Sequence, residues 1–361
     1  MVSINGKISI NGEKGDIMVE YMNPSKFSLG QKLKHLRSLK KIKQLELAKG
    51  ICSVSYLSKV ENDLIVPSVE IKDLLLKRLN LDTNSLEFNS NFHNKLNEWQ
   101  SLIVKNSINE AELLYKNLLL MIGPFINIEL QLKFKLCTIS YFVTKRDFIY
   151  AAKAINEIED GERAFSLETK YFFNRYVGEY YYYQFDFNKS LEYFLESVKL
   201  LPTGMAEKSD QAKLFYSLAM AASKSEKFHI SITYGNKALE LYKSLYNFKK
   251  CVDCHVLLGI TSLKISNYED SLLHYKSAKE LAISGNYDQM LYIINHNLGN
   301  LYSYLGESEK ALEYYYECFG NDDEIIEEYK METIICIVEE LYITAHIQEM
   351  KKWIDRGLTF S

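Results

Sequence analysis

Gln44-Leu-Glu-Leu-Ala48, with Leu57-Ser-Lys-Val-Glu61-Asn62 beginning nine residues beyond Ala48, decides how the front of this chain folds. Leu47 is placed to face a core, and Ala48 is small enough to let two helices cross closely. Gly50 breaks the first helix, and the Ser53 hydroxyl can cap the second. Upstream, Gly30-x-x-Leu33-Lys34-x-x-Arg37 adds an amphipathic helix whose other face is basic. The layout predicts a helix-turn-helix.

The charge distribution agrees with that reading. The net charge of −4 over 361 residues conceals a basic segment. Residues 25–80 carry twelve Lys/Arg against five Asp/Glu, a balance of +7, whereas residues 81–361 sum to −10. A basic head on an acidic body suits a double-stranded DNA partner for the head, with the body kept off the phosphate backbone. With 47% apolar residues the chain can bury a large core. It has no apolar run of membrane-spanning length and no signal-peptide order at its start, so the expectation is a cytoplasmic protein without a membrane partner. Six scattered cysteines then read as reduced core residues.

Residues 28–80 resemble the five-helix DNA-binding domain of the xenobiotic-response-element and phage-repressor family. The segment Lys49-Gly-Ile-Cys-Ser-Val-Ser-Tyr-Leu-Ser58 has a turn one residue shorter, with Cys52 at a usual glycine position. In this it resembles the peptide-pheromone receptors typified by the PlcR and NprR regulators. The resemblance implies that Arg37 and Glu61 form a structural ion pair. In a helix-turn-helix, the start of the second helix meets base edges in the major groove. Behind the cap at Ser53, the expected reading residues are Val54, Ser55, Tyr56 and Lys59. Gln44 is expected to anchor a phosphate, helped by Lys43 and Asn62. Specific affinity calls for two half-sites, so a homodimer on a pseudo-palindromic operator is expected, with the segment around Leu96, Trp99 and Leu102 and the outer faces of the repeats at its interface.

Behind the head a period appears. Gly178-x-x-Tyr181 precedes Ser190-x-x-x-Phe194-x-x-Ser197 and Pro202, offsets that resemble a tetratricopeptide repeat. Small residues allow close helix crossing, and aromatics fill the gaps between hairpins. The anchors Ala111, Ala151, Ser190, Ser231, Ser271 and Ala311 recur at 40, 39, 41, 40 and 40 residues. The predicted fold is all-α. It comprises a flexible extension over 1–24, a helix-turn-helix domain over 25–88, and a right-handed tetratricopeptide-like α-solenoid over 90–361. That solenoid holds about six 40-residue repeats, with 324–350 as a closing helix.

In such an array the first helix of each repeat lines a concave groove. The repeat phase assigns to it Arg175, Glu179 and Tyr182, then Tyr216, Met220 and Ser223. Val256, Ile260 and Leu263 follow, then His296 and Asn300, with Asn297 beside them. Asparagine amides both donate and accept, which suits the backbone of a short extended peptide. Arg175 is the candidate partner of a peptide carboxylate, and Glu179 of a peptide amine. Equally, Asn297 could be surface and His296 a satisfied core histidine.

Chemistry is sparse elsewhere. Cys251-Val-Asp-Cys254-His255 matches a haem-attachment pattern, but its place on a repeat helix reads as packing. There is no phosphate loop, zinc pattern or nucleophile elbow, and Asp322-Asp323 reads as a helix-start pair. The expectation is a non-enzymatic regulator without a cofactor. Its repeats would receive a short signalling peptide, as in quorum sensing. Two readings stay open beside that one: a module binding a phosphorelay or other regulatory protein, and a peptide-independent phage-type repressor.

Overall fold

The computed structural model describes residues 29–79, 86–122, 126–159, 166–201, 207–319 and 327–359. The expected extension over 1–24, Pro202 and the Asp322-Asp323 pair lie outside them. Every regular element among the described residues is an α-helix. The chain divides into two compact units, Met1–Ala164 and Phe165–Ser361.

The first unit opens with α1 (Leu29–Leu39), α2 (Gln44–Ala48), α3 (Val54–Glu61) and α4 (Val69–Arg78). Leu33, Leu47, Leu57, Val60, Leu75 and Leu76 close a small core, each at most 1% exposed. Gly30 is required where α1 meets α3, because a Cβ there would lie 1.8 Å from the Val60 carbonyl oxygen. Gly50 turns the chain between α2 and α3 at φ +72, a left-handed value that costs glycine little. The hairpins α5 (Leu86–Val104) with α6 (Ile108–Met121), and α7 (Ile128–Thr144) with α8 (Phe148–Glu159), complete the unit. α1 also packs on α6, so the head and two hairpins form one compact unit.

One expectation is corrected here. Leu96 and Trp99 are fully buried within the chain and offer nothing to a second copy. Trp99 stacks on Tyr115 and Phe134 at centroid distances of 5.3 and 5.5 Å, because this face of α5 points at α6 and α7.

The second unit continues the hairpins. They are α9 (Leu167–Tyr183) with α10 (Phe187–Lys199), α11 (Lys208–Lys224) with α12 (Phe228–Ser244), and α13 (Phe248–Lys264) with α14 (Tyr268–Ser284). α15 (Asp288–Tyr304) with α16 (Ser308–Glu317) and α17 (Glu327–Ile343) with α18 (Ile347–Leu358) follow. All six anchors occupy the fourth position of a second helix and have zero exposure. Their function is visible: Ser190 Oγ donates to the Gly178 carbonyl at 2.8 Å, and Ser271 Oγ to Gly259 at 2.9 Å. Each such bond contributes about 1 kcal/mol net. The glycines seat the aromatics four residues beyond the anchors. A Cβ on Gly178, Gly259 or Gly299 would lie 2.7, 2.4 or 2.3 Å from the ring of Phe194, Tyr275 or Tyr315.

The closing helix expected over 324–350 is instead a seventh hairpin, broken at Ala345. Ala345 sits at φ 59, and the turn is held by Ala345 N donating to Tyr342 O and His346 N to Leu341 O. Phe185 and Gly306 turn the third and sixth hairpins through the same pair of backbone bonds. The fourth position of α18 is Met350 and not a small residue, and so the anchor period did not announce this hairpin.

Candidate functional site

At the head, Ser53 Oγ accepts the Tyr56 backbone N–H at 3.1 Å and starts α3 cleanly. Ser55, Lys59 and Asn62 fall at intervals of four and three along α3 and its cap, and all three are exposed. Val54 and Tyr56 are half-buried beside them. Asn62 Oδ1 accepts from Lys34 Nζ at 3.2 Å, and its amide nitrogen donates to the Ser58 carbonyl at 2.9 Å. Lys43 is exposed just ahead of α2.

Behind this surface lies a buried carboxylate. Arg37 donates to Glu61 from Nε at 2.6 Å and from Nη2 at 2.9 Å, a bidentate pair, and also to the Ile42 carbonyl at 3.0 Å. Gln44 departs from its expected part. Its amide nitrogen donates to Glu61 Oε2 at 2.7 Å, so the group expected on a phosphate is spent inside the head.

In the second unit, each first helix touches the next. α9, α11, α13 and α15 together line a cavity of about 260 Å³. Six of its residues are ones the repeat phase placed there: Tyr182, Tyr216, Met220, Ser223, Val256 and Ile260. Six more escaped that phase: Lys224, Asp253, Leu257, Lys264, Met290 and Ile293. The 40-residue spacing of Lys224 and Lys264 was a usable signal for two of them. Burial raises the pKa of Tyr182 and of Tyr216, so both phenols stay protonated and able to donate.

The other expected contacts lie elsewhere. Arg175 is 3% exposed; its Nη1 donates to Asp210 Oδ1 at 2.9 Å, and its Nε lies 3.6 Å from Glu179 Oε1. Lys213 Nζ reaches the same Glu179 oxygen at 3.4 Å. These charges tie α9 to α11, so the roles expected for Arg175 and Glu179 toward a peptide's ends are corrected: both are already paired within the chain. Leu263 packs into the core between α13 and α15. His296 Nδ1 meets Thr333 Oγ1 of α17 at 2.9 Å, and burial lowers its pKa. Asn300 Oδ1 accepts the Tyr315 hydroxyl at 2.7 Å, and the Asn297 amide donates to Ile293 O at 2.7 Å. None of these three asparagine and histidine side chains lines the cavity.

Cys251 and Cys254 are fully buried on α13, where burial raises both thiol pKa values. His255 Nδ1 lies 3.0 Å from His274 Nδ1. Burial, then the neighbouring His274, pushes His255 down to about 4. No group of three metal-ligating side chains occurs among the described residues, and no described helix is long and apolar enough to cross a membrane.

A helix-turn-helix ahead of a tetratricopeptide-like array defines a class of regulator, and comparison with known proteins agrees. A family model described as helix-turn-helix matches residues 33–86. The chain is 26% identical over 312 residues to the transcriptional activator NprA of Geobacillus stearothermophilus, covering 86% of this chain and 77% of that protein. It is 22% identical over 233 residues to response regulator aspartate phosphatase E of Bacillus subtilis, covering 61% of each. Among solved structures, NprR in complex with its cognate peptide NprX superimposes at a TM-score of 0.58 and 23% identity. That match covers 75% of this chain and 78% of NprR. The chain thus joins a helix-turn-helix to a tetratricopeptide-like helical array and is similar to NprA and NprR.

Proposed function

We propose that this chain is a cytoplasmic transcription regulator of the quorum-sensing kind. Its head binds a pseudo-palindromic operator as part of a homodimer, and its groove receives a short signalling peptide that resets operator affinity. The observation that carries the reading is the cavity where four successive first helices converge, in a chain whose helix-turn-helix also presents Ser55, Lys59 and Asn62 as exposed side chains. The likeness to NprA, a transcriptional activator, and to NprR, solved with a peptide, supports it. Lys59 and Ser55 are the leading base contacts, Lys43 the phosphate anchor, and Tyr182, Tyr216 and Met220 the leading peptide contacts. Asn297 and Asn300 stand as outer contacts on the helix that supplies Met290 and Ile293. A peptide that contacts several hairpins at once favours one arrangement of them, and only a difference in its affinity for two arrangements can act as a switch.

The similarity to an aspartate phosphatase supports a second reading, in which the array binds a regulatory protein. One experiment separates the two. Full-length protein is used to select fragments from the genomic DNA of its own host, and binding is followed by fluorescence anisotropy with and without peptides from the host's culture medium. Lys59→Ala should weaken the selected operator by about 1–3 kcal/mol, whereas Lys43→Ala should weaken all sequences about equally. Ile293→Glu, at a position 41% exposed on the cavity wall, should abolish the peptide response and leave DNA binding intact. Failure to select any DNA refutes the regulator reading. A normal response in Ile293→Glu moves the ligand out of this groove.

A further inference from the structure

Lys224 and Lys264 occupy the same place on successive first helices, each the last residue of its helix, and both border the cavity. Both are exposed, and no ion pair joins either to another described residue. The remaining charge on the cavity wall is already answered: Asp253 Oδ2 lies 2.8 Å from Lys250 Nζ. One lip of the groove, at the last residues of α11 and α13, therefore carries two positive charges that have no ion-pair partner among the described residues. Each lysine follows an apolar wall residue by four positions, Met220 before Lys224 and Ile260 before Lys264. That interval is about 6 Å along a helix and keeps both side chains on one face. Two extended residues cover about the same distance.

We propose that the peptide taken by this groove is an anionic one. It carries a carboxylate within two positions of a large apolar side chain, the carboxylate meeting Lys224 and Lys264 and the apolar group entering the cavity between Met220 and Ile260. This rests on the peptide reading above and specifies its ligand. The cavity volume, about 260 Å³, is below the range of about 300–1,000 Å³ that encloses whole drug-sized ligands. The cavity therefore holds an anchor side chain, and the rest of the peptide lies along the helices, where the lip charges select it. The carboxylate can be the chain terminus or an Asp/Glu side chain, since both present the same two oxygens.

Three synthetic pentapeptide pools test this against the full-length protein. All are randomised at the first three positions over residues other than Asp and Glu and carry Leu at the fourth. One ends in Gly with a free acid, one in Gly amide and one in Asp amide. Retained members are identified by mass spectrometry after equilibrium capture, then titrated by calorimetry. The acid pool, the Asp pool or both should yield binders, with the Gly-amide counterpart about tenfold weaker or more. Retention from the first pool assigns the terminal carboxylate, and retention from the third assigns a side chain. Lys224→Gln with Lys264→Gln, both exposed, should erase the preference without moving the melting temperature. Equal retention of acid and amide, or an unchanged preference in the double variant, overturns the carboxylate assignment and leaves the peptide reading standing. Retention from no pool overturns both.

Discussion

Replacing Arg37 with Met should loosen the DNA-binding head more than any surface change there. The Glu61 side chain has no exposure and that of Arg37 only 14%. Three donors converge on the one carboxylate: Arg37 twice and Gln44 once. Arg37→Met leaves a buried anion with one neutral donor, a defect of about 3–5 kcal/mol. Because the lost partner is a charge and not only a shape, Arg37→Met with Glu61→Met should recover most of the loss, with Gln44 turning to water. Hydrogen exchange read by mass spectrometry isolates the effect. Protection of peptides within 29–79 should fall by roughly two to four orders of magnitude in the single variant, with peptides from 208–304 as the internal reference. Wild-type protection in Arg37→Met would refute the reasoning. A double variant as exchange-prone as the single one would show that packing, not charge, was lost.

Further expectations follow from the array. Gly299→Ala drives a Cβ to 2.3 Å from the Tyr315 ring and should cost about 1–3 kcal/mol in urea unfolding, a loss reduced when Tyr315 is also replaced by Leu. Ala345→Gly removes a left-handed alanine at φ 59 and should raise stability by about 1 kcal/mol in the same assay. Thermal stability should fall as pH drops from the ordinary histidine value of 6.5 toward 4. The unfolded chain takes up protons that buried His255, His274 and His296 refuse, so stability is full above 6.5 and lost on the way down. His255→Gln with His274→Gln should flatten that slope, and a wild-type slope of the opposite sign would contradict the burial of these rings.

The head and the hairpin period were legible because their determinants are residue types with no substitute. Ser53 caps a helix, Gly30 admits a neighbouring carbonyl, and the small anchors sit where second helices cross first ones. The seventh hairpin was hidden because the fourth position of its second helix is Met350, where the six recognised anchors are alanine or serine, so the small-residue period stops at Ala311. That miss spread. With 324–350 read as one closing helix, α17 was not phased as a first helix against α15, and His296 was placed in the groove, with a core role as the alternative, although Thr333 of α17 is its partner. Arg175 and Glu179 were misassigned for a related reason. Their phase on α9 was plain, but Asp210 lies 35 residues beyond Arg175, and no local pattern announces that pairing.

Among the described residues, seven turns join first to second helices, at Asn106, Arg146, Phe185, Glu226, Ser266, Gly306 and Ala345, all with φ between 59 and 73. Six of the seven tolerate a side chain where the backbone favours none, so each turn bears a small fixed cost and leaves its surface chemistry unconstrained. These positions are therefore natural cut points. A segment that starts at Glu226 and stops just before Ser266 runs from one such turn to the equivalent point of the next, with half a hairpin on either side. Pasted in tandem, it should lengthen the array by one register-true cassette. The protein could grow or shrink by whole hairpins without re-inventing a joint, and a ligand longer than the present groove could be met by adding wall.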